Sequence, residues 1–220
     1  VANREVLKTH LNILNYTFEF TDDFLKLSKS IIVKVVDIGS KNNSAYDSFK
    51  YCVDTIDNKS VLFTLPMSKS SFKEKNITYS GHTDFLRKNF TDYSPLMFFI
   101  NGPEKVCLLT DHIPIDEVSS SITKKLLREK ILKMVKSMQN DFLIPKPKIA
   151  ILGLNPHAGD SGLIGNQEEK IIKPVIQELN KENNFIFGPF SADSFFVKAN
   201  LEKYDAVLAM FHDQGLIPFK

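Results

Sequence analysis

The sequence has few of the residues and segments that mark secreted, membrane-spanning or zinc-cluster proteins. It contains no tryptophan and two cysteines, Cys52 and Cys107. These cysteines fit no metal-ligand spacing, and they predict reduced thiols in a cytoplasmic protein. No apolar run approaches the roughly 18 residues of a membrane-spanning helix. The first residues, VANREVLKTHLN, also lack the apolar segment of a signal peptide.

Charge of one sign is not in excess either. The net charge is +2, and the lysines are scattered among acidic residues rather than grouped. A nucleic-acid-binding surface normally shows a basic stripe, so we expect no nucleic-acid partner. With 43% hydrophobic and 25% charged residues in a chain of 220, the composition is that of a globular protein with one large domain or two small ones.

The standard nucleotide and nucleophile motifs are missing as well. Gly159, Gly162 and Gly165 recur at a spacing of three, which is neither the dinucleotide fingerprint G-x-G-x-x-G nor a Walker phosphate loop. No G-x-S-x-G nucleophile motif is present. We interpret the loop 158–166 as a flexible crossing whose glycines let the backbone pass close to a ligand.

Short β-branched or aromatic runs alternate with longer amphipathic ones. The pattern predicts strands at 30–38, 61–66, 148–154 and 205–210, with two further strands in 95–111 that meet at the turn Asn101–Gly102–Pro103. It predicts helices at 44–56, 83–89 and 167–182, and a long one capped by Ser121 or Thr123 whose lysine face is solvated. No terminal helix is evident in GLIPFK. This order favours an α/β fold with a largely parallel sheet.

Three of the five histidines directly follow predicted buried strands: His112, His157 and His212. Each alone is adequately explained as a loop residue with a hydrogen bond. In parallel neighbouring strands, however, the carboxyl ends lie side by side, so the three imidazoles are expected to converge. Three neutral imidazoles with an open position form a recurring site for Zn²⁺ and similar ions. The sequence separations match no local zinc motif.

His82 and Thr83 open a predicted helix after Gly81. Backbone N–H groups, an imidazole and a hydroxyl at a helix N-terminus suit an anionic ligand. A plain turn with Thr83 as the N-cap is an equally good interpretation. His10 lies in a polar stretch, where we expect it to be solvated.

Several motifs together resemble the PdxA family, the 4-hydroxythreonine-4-phosphate dehydrogenases of pyridoxal phosphate biosynthesis. They are GHTDF (81–85), TDHIPIDEV (110–118), GLNPHAG (153–159), GPFSADSFF (188–196) and DAVLAMFHDQGL (205–216), with TLPMSK (64–69) as a looser match. The resemblance runs from about Val61 to the end, and residues 1–60 show no clear match. The family's glycine-rich amino-terminal segment and its carboxyl-terminal portion are missing, so the chain is expected to be truncated at both ends.

The resemblance implies a three-layer α/β/α fold with a mostly parallel sheet, like isocitrate and isopropylmalate dehydrogenases, with residues 1–100 and 101–220 on either side of a cleft. It implies a divalent ion (Zn²⁺, Mg²⁺ or Co²⁺) on His112, His157 and His212, and substrate contacts from His82 and Thr83. Asp193 and Asp213 match family positions and are orienting or proton-transfer candidates, with ordinary loop capping as an equally good interpretation. Lys69 is a weak phosphate-contact candidate, because the family histidine before it is Ser68 here.

The implied reaction is oxidation of 4-phosphooxy-L-threonine by NAD or NADP, followed by decarboxylation to 3-amino-2-oxopropyl phosphate. The cofactor-binding residues are not assignable. The resemblance further implies a cytoplasmic homodimer with its active site at the subunit interface. Three alternatives stay open: a dehydrogenase of another four-carbon phosphorylated hydroxy acid, a metal-dependent hydrolase, and a metal- or ligand-binding fragment without activity.

Overall fold

The computed structural model describes residues 1–21, 23–28, 30–39, 44–57, 59–68, 70, 73–74, 77–90 and 95–220. The chain divides into two compact units, residues 1–94 and 95–220, and each is described by itself. Within the described residues, no helix combines the length and the apolar character needed to cross a membrane.

The first unit contains short strands and three helices within its described residues. These elements are α1 (Arg4–Ile13), β1 (Glu19–Thr21), β2 (Phe24–Lys26), β3 (Ile32–Lys34), α2 (Ser44–Thr55), β4 (Lys73–Glu74), β5 (Ile77–Thr78) and α3 (His82–Asn89). Strands β1, β2 and β3 form an antiparallel sheet, and β4 pairs with β5. One small core groups Leu11, Leu25 and Val35. A second core is largely aromatic, and it consists of Tyr46, Phe49, Val53, Tyr79 and Phe85.

Two strand predictions in this unit are wrong in extent or in kind. The strand predicted at 30–38 forms only as β3, Ile32–Lys34. The run predicted as a strand at 61–66 has no regular structure, and Val61 and Phe63 are 94% and 85% exposed. β-Propensity depends on the neighbouring strand that an apolar run can pack against. Within the described residues, the 61–66 segment pairs with no such neighbour.

The second unit is built on a five-stranded sheet of order β6-β7-β10-β8-β9. Only the β6–β7 hairpin is antiparallel, and all the other pairings are parallel. The predicted mostly parallel α/β sheet is therefore confirmed. The elements are β6 (Phe98–Asn101), β7 (Glu104–Leu108), α4 (Ile115–Ser121), α5 (Lys124–Asn140), β8 (Lys148–Leu152), α6 (Lys173–Lys181), β9 (Phe185–Phe190), α7 (Ala192–Phe195), α8 (Lys198–Leu201), β10 (Ala206–Ala209) and α9 (His212–Phe219).

Helices cover both faces of this sheet, which gives the three layers. On one face Cys107, Ile151 and Leu208 belong to a core that includes residues of α4, α5 and α6. On the other face Leu108 and Val207 pack in a core with residues of α7 and the end of α9. A strand covered on both faces reads as a continuous apolar run, which is why β7, β8 and β10 are visible in the sequence. Burial in this core raises the pKa of the Cys107 thiol to about 12.

The long helix α5 begins where one of the two predicted caps lies. The Thr123 hydroxyl accepts a hydrogen bond from the Leu126 N–H at 3.1 Å, and Leu127 and Ile131 are fully buried. The prediction of a wholly solvated lysine face is wrong at Lys130. That side chain is buried, and its ammonium donates to the Pro95 carbonyl at 3.3 Å. A buried ammonium needs such an acceptor because desolvating it is costly.

The two helices after β8 also differ from their predicted form. The predicted helix 167–182 is two elements, a π turn (Glu168–Ile172) that continues into α6. Pro174 lies in the first turn of α6, where its missing N–H is tolerated. The end of the chain, expected to lack a helix, forms α9, with Pro218 in its last turn.

Candidate metal centre

The carboxyl ends of β7 and β10 stay paired beyond the last residues of the two strands. The Leu109 N–H donates to the Ala209 carbonyl at 2.8 Å. Next to it, the buried Thr110 donates twice to the Met210 carbonyl, from its N–H at 3.2 Å and from its hydroxyl at 2.8 Å. The segments that follow β7 and β10 therefore leave the sheet side by side.

This pairing brings His112 and His212 together. Their ring centroids are 5.4 Å apart. His112 takes up a left-handed backbone conformation with φ +50°, which ends the strand direction. A cavity of about 220 Å³ lies beside the two rings, and Asp111, Asp213 and Phe211 also line it. We call His112 and His212 the strand-end pair.

Asp213 fixes the orientation of one ring of this pair. His212 is the first residue of α9, and its Nδ1 lies 2.7 Å from the Asp213 carboxylate. A carboxylate only accepts hydrogen bonds, so Nδ1 is the protonated nitrogen and Nε2 keeps its lone pair for a ligand. Carboxylate–histidine pairs of this kind commonly orient metal-binding imidazoles.

Gln214 ties the ends of β10 and β8 to the same helix. Its side-chain carbonyl accepts from the Met210 N–H at 2.7 Å. Its amide NH₂ donates to the Gly153 carbonyl, also at 2.7 Å. No sequence pattern predicts a role for Gln214. Its only sequence signal is its place in DAVLAMFHDQGL, directly after His212 and Asp213.

His157 lies outside the strand-end pair. It follows β8 in a loop where residues 157–162 all have positive φ, and its side chain is 68% exposed. The imidazole Nδ1 is 3.8 Å from the Asp193 carboxylate. Within the described ranges, no group of three or more His, Cys, Asp or Glu side chains is close enough together to hold an ion. The structure thus brings two of the three predicted ligands together and leaves the third apart.

The available donors nevertheless have the chemistry that a divalent ion requires. Two imidazoles meet at adjacent strand ends, one with its free nitrogen set by a carboxylate. Imidazole nitrogen is a preferred ligand of Zn²⁺ and Co²⁺. His157 lies at the end of β8, the other strand that pairs with β10. It would join the pair only after a change in its own loop.

Asp193 is a charged carboxylate on the His157 side of the site. The Ser191 hydroxyl donates to it, and this hydrogen bond, with a smaller contribution from His157, lowers the pKa of Asp193 below its usual value. An Asp held in the ionised form is suited to orient an imidazole. An ionised carboxylate can also accept a proton, so the orienting and the proton-transfer roles both stay predictions for Asp193.

A second residue that the sequence analysis missed is Glu168, which is fully buried. Its carboxylate accepts from the backbone N–H groups of Leu154 and Asn155 and from the Asn155 side-chain amide, each at 2.8 Å. The Asn155 amide also donates to Gln167 at 2.9 Å, and Gln167 donates to the Ser119 hydroxyl of α4 at 2.8 Å. We call this set the Glu168 clasp.

The glycines after His157 pack against this clasp. A Cβ on Gly159 would lie 2.7 Å from the Glu168 carboxylate, and one on Gly165 would lie 2.3 Å from the Asn155 amide. Gly159 and Gly165 are therefore packing positions, while the predicted flexibility of the loop stays a prediction. They are needed because the backbone runs too close to Asn155 and Glu168 for a side chain.

His82 and Thr83 lie in the first turn of α3, in the first unit. The N-cap is Gly81, so Thr83 is not the cap, and Asp84 accepts from the Ser80 N–H at 2.9 Å. Burial lowers the pKa of His82, and its ring packs edge-on against Phe49 with centroids 4.9 Å apart. Lys69, the phosphate-contact candidate, lies outside the described residues.

Comparison with known proteins extends the resemblance to the whole chain. The family model of the pyridoxal phosphate biosynthetic protein PdxA matches residues 1–220. The expectation that residues 1–60 fall outside the match is therefore wrong. Outside the motifs quoted above, the similarity is too dispersed to see in a single sequence.

Individual relatives carry the same family name. The 4-hydroxythreonine-4-phosphate dehydrogenase of Bacteroides thetaiotaomicron is 38% identical over 161 residues, which are 73% of this chain and 44% of that protein. The one from Wigglesworthia glossinidia brevipalpis is 38% identical over 87% of this chain and 58% of its own length. A crystal structure of the Burkholderia phymatum enzyme, at 27% identity, covers 85% of this chain and 61% of its own with a TM-score of 0.71.

The chain spans about half the length of the curated relatives it matches. Three of the motifs that carry the resemblance, TDHIPIDEV, GLNPHAG and DAVLAMFHDQGL, lie at the carboxyl ends of β7, β8 and β10. With the family model matching from the first residue to the last, the chain belongs to the PdxA family of pyridoxal phosphate biosynthetic proteins.

Proposed function

We propose that the protein is a 4-hydroxythreonine-4-phosphate dehydrogenase. The observation that supports this most directly is the strand-end pair, His112 and His212, at adjacent carboxyl ends in a chain of this family. The substrate is 4-phosphooxy-L-threonine. Its secondary alcohol loses a hydride to NAD⁺ or NADP⁺ and a proton from oxygen. The resulting β-keto acid then loses CO₂ to give 3-amino-2-oxopropyl phosphate.

In this proposal His112, His157 and His212 hold a divalent ion, Zn²⁺, Co²⁺ or Mg²⁺. When bound, such an ion supplies Lewis-acid chemistry: it lowers the pKa of a hydroxyl it contacts and stabilises negative charge on a nearby oxygen. Asp213 keeps Nε2 of His212 free for the ion. The Asp193 carboxylate lies 3.8 Å from Nδ1 of His157, and it would orient that ring once the two groups come within hydrogen-bond distance.

His82 and Thr83 are proposed substrate contacts from the first turn of α3. The lowered pKa of His82 means that its imidazole is neutral at pH 7, so it acts as a hydrogen-bonding group rather than as a cation. The Thr83 hydroxyl and the N-terminal end of α3 favour an anionic part of the substrate. The partner molecules of the proposal are the phosphorylated substrate and a second copy of the chain in a cytoplasmic homodimer.

The test is an assay of the purified protein with 4-phosphooxy-L-threonine, NAD⁺ or NADP⁺ and Zn²⁺, Co²⁺ or Mg²⁺. We expect reduction of the nicotinamide together with release of CO₂. Erythronate 4-phosphate, run in parallel, distinguishes a dehydrogenase for another four-carbon hydroxy acid. Release of inorganic phosphate without reduction of the nicotinamide would contradict the proposal and favour a hydrolase.

A further inference from the structure

Glu168 is a buried acidic residue that has no role in the proposed reaction. It lies in the π turn before α6, and no part of it is exposed to solvent. The three N–H groups that its carboxylate accepts come from Leu154 and Asn155, the residues that connect β8 to the Pro156–His157 turn. The Glu168 carboxylate thus holds the start of the loop that carries His157, a proposed metal ligand.

In the clasp, the donors and the acceptors lie on different residues. Both Glu168 oxygens act only as acceptors, and Asn155 presents only donors to them. The backbone of Gly153 and Gly159 runs close to the carboxylate, since a Cβ on either would lie 3.2 Å or less from one of its oxygens. The start of the loop is held in one position, whereas His157, two residues later, is largely exposed.

We infer that Glu168 is a positioning residue for His157, and that the clasp sets where this imidazole meets the strand-end pair. The inference rests on the proposed function, because it assumes that His157 binds the ion. The loop beyond Pro156 then supplies the movement that His157 needs, while the clasp keeps its starting point fixed relative to β8. Partners of metal-ligating residues act in this way when they restrict the orientation of a ligand.

Glu168→Gln is the informative variant. A glutamine keeps one carbonyl oxygen for the two backbone N–H groups, but it places an NH₂ opposite the NH₂ of Asn155. The double variant Glu168→Gln/Asn155→Asp restores the match between residues 155 and 168 with donor and acceptor exchanged, although the new carboxylate cannot donate to Gln167 as the Asn155 amide does. Glu169→Gln is the matched control, because Glu169 is the next residue of the same turn and its carboxylate contacts Lys173.

Three quantities are measured on the folded protein: the dissociation constant for Co²⁺, the amide hydrogen exchange of Leu154 and Asn155, and the melting temperature without metal. We expect Glu168→Gln to weaken Co²⁺ binding about tenfold or more and to speed exchange at these two amides. The double variant is expected to recover most of the affinity, and Glu169→Gln is expected to behave like the wild type.

His157→Ala separates the failure of this inference from that of the proposed function. If His157→Ala loses Co²⁺ binding while Glu168→Gln binds as tightly as the wild type, the inference is wrong and the metal assignment stands. If His157→Ala binds Co²⁺ with wild-type affinity, His157 is not a ligand, and both the inference and that ligand assignment are overturned. The dehydrogenase assay described above then tests the proposed function separately. A third outcome is that Glu168→Gln lowers both the melting temperature and the Co²⁺ affinity, and that the double variant restores neither. Glu168 would then be a stabilising residue only, and the inference would be overturned.

Discussion

His112 and His212 meet because Thr110 extends the pairing of β7 with β10 past the end of the sheet. The Thr110 hydroxyl joins the two strand ends through its hydrogen bond to the Met210 carbonyl, and Thr110 is buried. Its loss should therefore affect both stability and the approach of the two rings.

Thr110→Val is expected to lower the free energy of unfolding by about 1 kcal/mol, the usual net value of one buried hydrogen bond. The substitution keeps the side-chain shape, so the core is not expected to rearrange. Urea denaturation of the two proteins measures the difference. Thr9→Val is the matched control: Thr9 makes the same type of bond, to the Glu5 carbonyl, but in an exposed position. An equal loss in both variants would contradict this account of Thr110.

His82 provides a test that depends on pH. Burial holds the pKa of its imidazole below 6.5 in the folded protein, so the unfolded chain takes up this proton first as the pH falls. The contribution of His82 to stability is thus complete above pH 6.5 and is lost as the pH falls towards the lower folded pKa. An NMR titration of the ring is expected to give a midpoint below 6.5. Replacement of Phe49 by leucine, which opens one side of the ring, should move the midpoint up, and a wild-type midpoint of 6.5 or above would contradict the assignment.

The loop after β8 is closely packed at Gly159 and Gly165, while His157 near its start is largely exposed. It begins at the Glu168 clasp, passes through six residues with positive φ, and returns at Gly165 against Asn155. Glycine is required in it by packing as well as by backbone conformation.

Gly159→Ala separates these two reasons when it is compared with Gly102→Ala. Both glycines have positive φ, +79° and +55°, but a Cβ on Gly102 would meet nothing within 4 Å. Backbone strain alone costs about 1 kcal/mol in each variant. Gly159→Ala is expected to cost about 1 kcal/mol more, because the new Cβ displaces Glu168 from its hydrogen bonds. Thermal or urea unfolding of both variants measures the difference. Equal losses in the free energy of unfolding would mean that the clasp accommodates the new Cβ without losing its hydrogen bonds.

The sequence predicts the elements of this centre unevenly, for physical reasons. Strands β7, β8 and β10 are buried on both faces and form continuous apolar runs, so they could be predicted together with the histidines that follow them. Strand β9 is hidden because Gly188 and Pro189 interrupt its apolar run. In the sequence, Glu168 has the pattern of a solvated helix residue. Its burial is not predictable from that pattern, because it depends on how the loop after β8 packs against it. For the same reason, the sequence does not reveal that His157 turns towards Asp193.

At the scale of the whole molecule, the proposed ion should link the stability of the second unit to metal concentration. A ligand that binds only the folded state stabilises it by about 2.7 kcal/mol at one hundred times its dissociation constant. We expect Zn²⁺ or Co²⁺ to raise the melting temperature in a concentration-dependent way in the wild type and much less in His212→Ala. Lys198→Ala, an exposed surface change outside the centre, is the control, and it should respond like the wild type. A rise of equal size in His212→Ala would place the ion elsewhere.

We propose that His112, His157 and His212 together form one metal site in a dehydrogenase of this family. The most direct test is the Co²⁺ content per chain at saturation, measured for the wild type and for His112→Ala, His157→Ala and His212→Ala, with circular dichroism to verify that each variant is folded. The account predicts one equivalent in the wild type and clearly less than one in every variant. Full occupancy retained in any folded variant would contradict the assignment of that histidine, and retention in all three would contradict the claim as a whole.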